Sequence, residues 1–212
     1  ENKAQEEVVK TVEGQLIVVA CPGSGKTTTL LRRINHMVSD CGINPENILM
    51  VTFTNAAAKE MRERYQGQYG ACGVTFSTIH SLCLAILKKF RGLTNDAILS
   101  DPQSYFYETI SKRQDITDKG DFIKTLLTDI SVLKNNSISL DEFSPTCCDN
   151  KLLFSDLYEG YEEYKKQYSL IDFDDMLIEA YSEMRNNPEC LQWRRERYRY
   201  IQVDEYQDTN FI

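Results

Sequence analysis

Two closely spaced glycines run into a lysine and a threonine in Val18-Val19-Ala20-Cys21-Pro22-Gly23-Ser24-Gly25-Lys26-Thr27-Thr28. The chemistry open to such a run is the capture of phosphate. Glycines let a tight turn bring successive backbone N–H groups, from Gly23 to Thr27, onto one anion. Lys26 supplies a point charge for outer phosphates, and the Thr27 hydroxyl can ligate Mg²⁺. The helical pattern that follows puts these groups at a helix N-terminus, whose dipole favours anions. The pattern G-x-x-x-x-G-K-[ST] asks for glycine at position 20, where this chain has Ala20. A glycine turn with no ligand leaves unexplained why apolar run, glycines, Lys-Thr and helix coincide.

A second set of candidate chemical groups ends the chain: Tyr200-Ile201-Gln202-Val203-Asp204-Glu205-Tyr206-Gln207-Asp208-Thr209-Asn210. Two carboxylates directly after an apolar run stand where open α/β sheets bind ligands. Asp204 can hold the shell of a Mg²⁺ ion, and Glu205 can orient or deprotonate an attacking water. Phosphoryl transfer needs little else from protein beyond positioning and charge stabilisation. Alone, Asp-Glu is equally a solvated acidic loop; the upstream phosphate loop gives it weight.

Positioning these groups requires a sheet. Leu16–Val19, Ile48–Val51, Val74–Phe76 and Tyr200–Val203 are short apolar runs that read as buried parallel strands. Helical patterns follow the first three. One places Leu30, Leu31, Ile34 and Met37 on a face; another is Asn55–Tyr65; the third keeps Ile79, Leu82, Cys83, Ile86, Leu87 and Phe90 in helical spacing. Such alternation predicts an α/β fold with helices on both faces of a parallel sheet.

The middle of the chain reads as all helix. Its stripes are Ile123, Leu126, Leu127, Ile130, Leu133; Phe154, Leu157, Tyr158, Tyr161, Tyr164, Tyr168; and Phe173, Met176, Leu177, Ala180, Tyr181, Met184. Polar loops such as Asn135–Asn150 separate them. The organisation expected is an α/β part over 1–91, a helical insertion over 92–185, and a return to the α/β part over 186–212. Charge supports the division. Residues 1–91 carry 11 Lys/Arg and 8 Asp/Glu, a net of +3, and residues 92–185 carry 9 and 19, a net of −10. The whole-chain charge of −8 is therefore a poor guide to any one groove.

With 42% hydrophobic and 26% charged residues the composition is that of a folded globular chain. No apolar run reaches the roughly 18 residues of a membrane span. Seven scattered cysteines, none in a C-x-x-C pair, argue against a disulfide framework or a zinc site and fit a reducing cytoplasm.

The phosphate loop and the acidic motif together resemble motifs I and II of UvrD/Rep-type superfamily 1 helicases. Asn2–Val8 resembles the Q motif, Val51–Arg64 motif Ia, and Phe76–Ser81 motif Ib. Ile171-Asp172-Phe173-Asp174-Asp175-Met176-Leu177 resembles the end of that family's helical subdomain. The resemblance implies a RecA-like ATP-binding domain, part of domain 1A, interrupted by a helical domain 1B. It further implies a motor that hydrolyses ATP with Mg²⁺ while moving on single-stranded DNA. Gln5 would read adenine; Pro22, Gly23, Ser24, Gly25, Lys26, Thr27 and Thr28 would hold the nucleotide; Lys26 and Glu205 would be catalytic; Thr27 and Asp204 would hold Mg²⁺. Phe53, Thr54, Asn55, His80 and Phe173 would face DNA, stacking on bases or holding phosphates. Packing is the rival role for Phe53 and Phe173, and helix capping for His80.

One departure is Thr28, where family members often have arginine. The start at Glu1 and the end at Ile212 read as those of an excised, monomeric piece without the later motifs. Arginine fingers contribute roughly 10³–10⁵ in rate to phosphoryl transfer, so motor activity is not expected of this piece alone. The rival classes are a nucleotide-dependent regulatory ATPase or protein-binding module, and a small-molecule kinase that would leave the Ia and II motifs unexplained.

Overall fold

The computed structural model describes residues 2–21, 23–71 and 73–206. The chain divides into two compact units. One runs up to Leu82 and resumes at Asn187; the other is Cys83–Asn186.

The first unit is built on a three-stranded parallel sheet. Strand β1 is Ile48–Thr52, β2 Thr75–Thr78 and β3 Tyr200–Val203, in the order β2-β1-β3. All five residues of β1 are buried, as a central strand covered on both faces requires. Alternation sends its side chains to two cores. Ile48 and Met50 join Leu31, Ile34 and Met37 of α2 (Lys26–Asn35 with the π-turn after it) and Met61 and Tyr65 of α3 (Asn55–Tyr69). Leu49 and Val51 pack with Leu82 and Tyr198 on the other face. Period 2 in one strand thus makes three layers. A short helix, α1 (Lys3–Lys10), joins α2 through Arg33, which donates to the Val8 and Val12 carbonyls at 3.2 and 3.3 Å.

One expected strand is absent from this sheet. Leu16–Val19 has no regular secondary structure, and Ile17 and Val19 are 82% and 95% exposed. The physical reason is pairing. An apolar run can be a strand only where a neighbour offers its N–H and C=O groups. Among the described residues the outer edges of β2 and β3 are open in this order, and neither pairs with Leu16–Val19.

In the second unit α4 (Ile79–Arg91) enters from the first, and α5 (Pro102–Thr109), α6 (Lys119–Asn135), α7 (Lys151–Tyr168) and α8 (Phe173–Asn186) follow. Helix α9 (Pro188–Arg197) leads back to β3. Asp101, Asp118 and Asn150 cap α5, α6 and α7, each side chain accepting from an N–H of the first turn. Phe106, Ile123, Leu126, Ile130, Phe154, Leu157 and Tyr161 form the core. The α7 stripe differs from expectation. Its buried residues are Leu153, Phe154, Leu157, Tyr161 and Lys165, while Tyr168 is 59% exposed. The helix keeps its spacing, but the last inward position holds a lysine rather than a tyrosine. No described helix is long and apolar enough to cross a membrane.

Candidate functional site

Parallel pairing sets the level of the site. Thr52 is in register with Thr78, and Val51 with Val203. Residues 53–55, 79–81 and 204–205 therefore all leave the sheet at its C-terminal edge, the edge where open α/β sheets bind ligands.

At the phosphate turn, Gly23 and Gly25 have φ of 77° and 81°, left-handed values that favour glycine. Gly25 is the N-cap of α2 and offers no side-chain acceptor. The first N–H groups of α2 have no acceptor within the helix. Helix α3, by contrast, is closed by the Thr54 hydroxyl, which accepts from the Ala57 N–H at 3.1 Å. The space above the turn is open: a methyl at Gly23 would meet nothing within 4 Å, and one at Gly25 only the Gln5 amide nitrogen at 3.7 Å. Gln5 belongs to this turn, its Nε2 donating to the Ser24 carbonyl at 2.9 Å while its Oε1 closes the capping box of α1. Thr27 and Thr28 lie in the first turn of α2, Thr27 half-buried and Thr28 exposed. Pro22 and the Gln207–Asn210 part of the acidic motif lie outside the described residues.

Across the turn, Lys26 Nζ donates to Glu205 Oε1 at 3.2 Å. The structure thus joins a lysine and a carboxylate 179 residues apart in sequence. Both side chains stay in contact with solvent, 33% and 40% exposed, so the pair contributes only about 0–1 kcal/mol and is open to exchange. Glu205 has φ of 52°, a strained value for a non-glycine residue just past a strand end. Its neighbour Asp204 is held by its own N–H, which donates to the Val51 carbonyl at 2.9 Å. Burial, reinforced by the charge of Glu205, raises the Asp204 carboxyl above its ordinary value; a backbone hydrogen bond and Lys26 oppose the rise. A group so placed favours a cation beside it.

The residues after β1 and β2 form a second arrangement. Phe53 is 67% exposed rather than buried in the core. The Asn55 amide oxygen accepts from the Thr78 and Ser81 hydroxyls at 3.4 Å each, joining the two strand ends. Ser81 N–H donates to Thr78 Oγ1 at 3.2 Å, so Thr78 caps α4 and His80 is left half-buried in its first turn. Phe173, in the second unit, is 48% exposed at the start of α8.

A polar cluster around Asp172 escaped the sequence reading. Lys165 Nζ lies 2.8 Å from Asp172, 2.6 Å from Asp175 and 2.8 Å from Glu162. Lys134 reaches Asp172 at 3.2 Å, Glu162 at 3.4 Å, and also Asp175. Tyr161 OH donates to Asp172 at 3.1 Å. The three carboxylates approach within 4.8 Å of one another, but the groups among them are ammonium ions. Burial alone would raise the Asp172 carboxyl, and the two lysines more than reverse this, holding it well below the carboxylate range. Lys134 is likewise held above its usual value by Asp172 and Asp175 against the effect of burial. The available signal was spacing: Lys165 lies four residues after Tyr161, on the inward face of α7.

Comparison with known proteins bears on the whole chain. The sequence model of the UvrD/REP helicase N-terminal domain matches residues 1–212. The ATP-dependent DNA helicase PcrA of Staphylococcus aureus (strain Mu50) is 34% identical over 99% of this chain. PcrA of Staphylococcus epidermidis (strain RP62A) is equally similar, 34% identical over 99%. The chain spans 30% of the length of each of these relatives.

Proposed function

The chain belongs to the UvrD/Rep helicase family, and from that premise we propose that it is the ATP-binding part of a motor that hydrolyses ATP while moving along single-stranded DNA. The observation that carries this reading is Lys26 paired with Glu205 at a helix N-terminus left without a side-chain cap.

In this reading the N–H groups from Gly23 to Thr27 receive the triphosphate, and Pro22, Ser24 and Thr28 complete the turn. Gln5, held on the Ser24 carbonyl, sits beside the base. A triphosphate offers Lys26 more negative charge than Glu205 does, so Lys26 moves to the outer phosphates. Glu205 is then released to orient a water and accept its proton. Thr27 and Asp204 are the donors for Mg²⁺. The fit is supported by the chemistry of that set, a hydroxyl and a carboxyl whose charged form a cation would favour. Bound Mg²⁺ would neutralise charge on the phosphates. Phe53, Thr54, Asn55 and His80 contact the DNA strand at the edge of β1 and β2, and Phe173 stacks on a base. We assign residues 1–91 and 186–212 to domain 1A and 92–185 to domain 1B, in a cytoplasmic monomer.

The net charge of −10 over residues 92–185 favours one other reading, a nucleotide-dependent module that recruits a protein partner. Titration of labelled single-stranded DNA with an ATP analogue present separates the two. The motor reading expects binding that weakens steeply as salt rises. No binding at low salt would sink it.

A further inference from the structure

The residues on both sides of Phe173 are held one by one. Ile171 N–H donates to the Ala97 carbonyl at 2.8 Å, and its own carbonyl accepts from Leu99 N–H at 2.8 Å, a parallel bridge. Asp172 is buried among Lys134, Lys165 and Tyr161. Asp174 Oδ1 accepts from the Ser131 hydroxyl at 2.9 Å and the Asn135 amide at 2.7 Å. Asp175 binds Lys165 and Lys134. Asp172 and Asp175 also cap α8 reciprocally, each accepting the other's N–H, at 2.8 and 3.1 Å. Phe173 lies between these anchors, and its side chain goes outward, 48% exposed.

We propose that Ser131, Lys134 and Asn135 of α6, with Tyr161 and Lys165 of α7, are positioning residues that clamp both flanks of Phe173 and thereby present its ring to a nucleobase. This rests on the reading of Phe173 as a DNA contact and adds the residues that act through it. A helix start held only by its cap frays, and a ring on a fraying turn loses rotational and positional order each time a base must stack on it. Here the anchors lie on both sides of the ring and come from two other helices. The clamp removes that disorder before DNA arrives, the way preorganisation raises affinity without adding a contact. Two buried lysines against three carboxylates also fix the turn.

The test uses the intact protein and a single-stranded oligonucleotide carrying 2-aminopurine, whose emission reports stacking. Three variants are compared: Phe173→Ala, the mild pair Ser131→Ala with Asn135→Ala, and Lys165→Met with Lys165→Arg as its rescue. Phe173→Ala is expected to lose the emission change at saturation and about tenfold in affinity, the size of one stacked base. The Ser131/Asn135 pair and Lys165→Met are expected to lose most of the emission change and several-fold in affinity, with nucleotide affinity unchanged. Lys165→Arg restores part of the emission change. If Phe173→Ala loses the signal while the Ser131/Asn135 pair keeps wild-type emission and affinity, the clamp is refuted and the DNA-facing reading stands. If Phe173→Ala itself behaves as wild type, that reading fails, and the clamp with it.

Discussion

Lys26 and Lys165 both end on carboxylates, and they could hardly be used more differently. The Lys165 side chain is 2% exposed and meets three carboxylates within 2.8 Å. That of Lys26 is 33% exposed and meets one, at 3.2 Å. Lys165 sits inside a helical unit beside the Tyr161 hydroxyl, which donates to the same Asp172. Lys26 opens a helix whose N-cap offers no acceptor. A cluster with both lysines and Asp172 buried cannot give up a member without stranding charge, so it holds shape. A solvent-exposed pair can trade one partner for a better one at little cost, so it can bind and release. The same chemical types thus give a fixture in one unit and an exchangeable contact in the other.

The largest effect should come from removing the fixture. Lys165→Met leaves three buried or half-buried carboxylates to Lys134 alone, and should destabilise the second unit by about 3–5 kcal/mol in urea unfolding. Lys26→Met should change stability by about 1 kcal/mol or less. Equal losses would end the contrast.

Next in size is the reverse experiment on binding. Lys26→Met should weaken Mg-ATP binding at least about tenfold by calorimetry, since a charge–phosphate contact is worth upward of 1.4 kcal/mol. Wild-type affinity in this variant would remove Lys26 from the site.

A smaller effect concerns acid. Asp172 has its folded value depressed, so its contribution is present above the ordinary carboxylate value, about 3.9, and is lost as pH falls through the lower folded value. Asp204 is shifted the other way, so its contribution favours the fold at low pH and fades as pH rises through its raised value. Asp172→Asn should therefore flatten the acid limb of the urea midpoint against pH. Asp204→Asn should flatten a shallow slope of opposite sign at higher pH. Matching slopes for both variants would show that the two carboxyls are not in opposed environments.

The smallest effect is salt. Raising NaCl to about 1 M brings the screening length to roughly 3 Å and should abolish any measurable coupling between Lys26 and Glu205 in a double-mutant cycle. The coupling of Lys165 with Asp172 should survive, because screening ions do not reach it. A salt-sensitive Lys165–Asp172 coupling would mean that water enters the cluster.

How much of this was legible in the sequence depends on how local the determining physics is. Glycines before Lys26-Thr27 and the stripes of α2 and α6 follow from spacing along the chain, and the structure has them where spacing put them. The parallel strands β1, β2 and β3 were legible as apolar runs bounded by loops. Leu16–Val19 has the same composition and no place in the sheet. Composition says that a run could be buried on both faces, and only a neighbouring strand decides whether it is.

The sequence by itself determined that this chain carries a phosphate turn and an acidic strand end, because both are short motifs whose chemistry lies in adjacent residues. Tertiary structure alone decided that Lys26 meets Glu205 across 179 positions, and that Lys134 and Lys165 close on Asp172 while Phe173 stays outside. The reason is physical. A hydrogen bond or ion pair depends on distance in space, and distance in space between remote residues is set by how strands pair and helices pack, which no local spacing records.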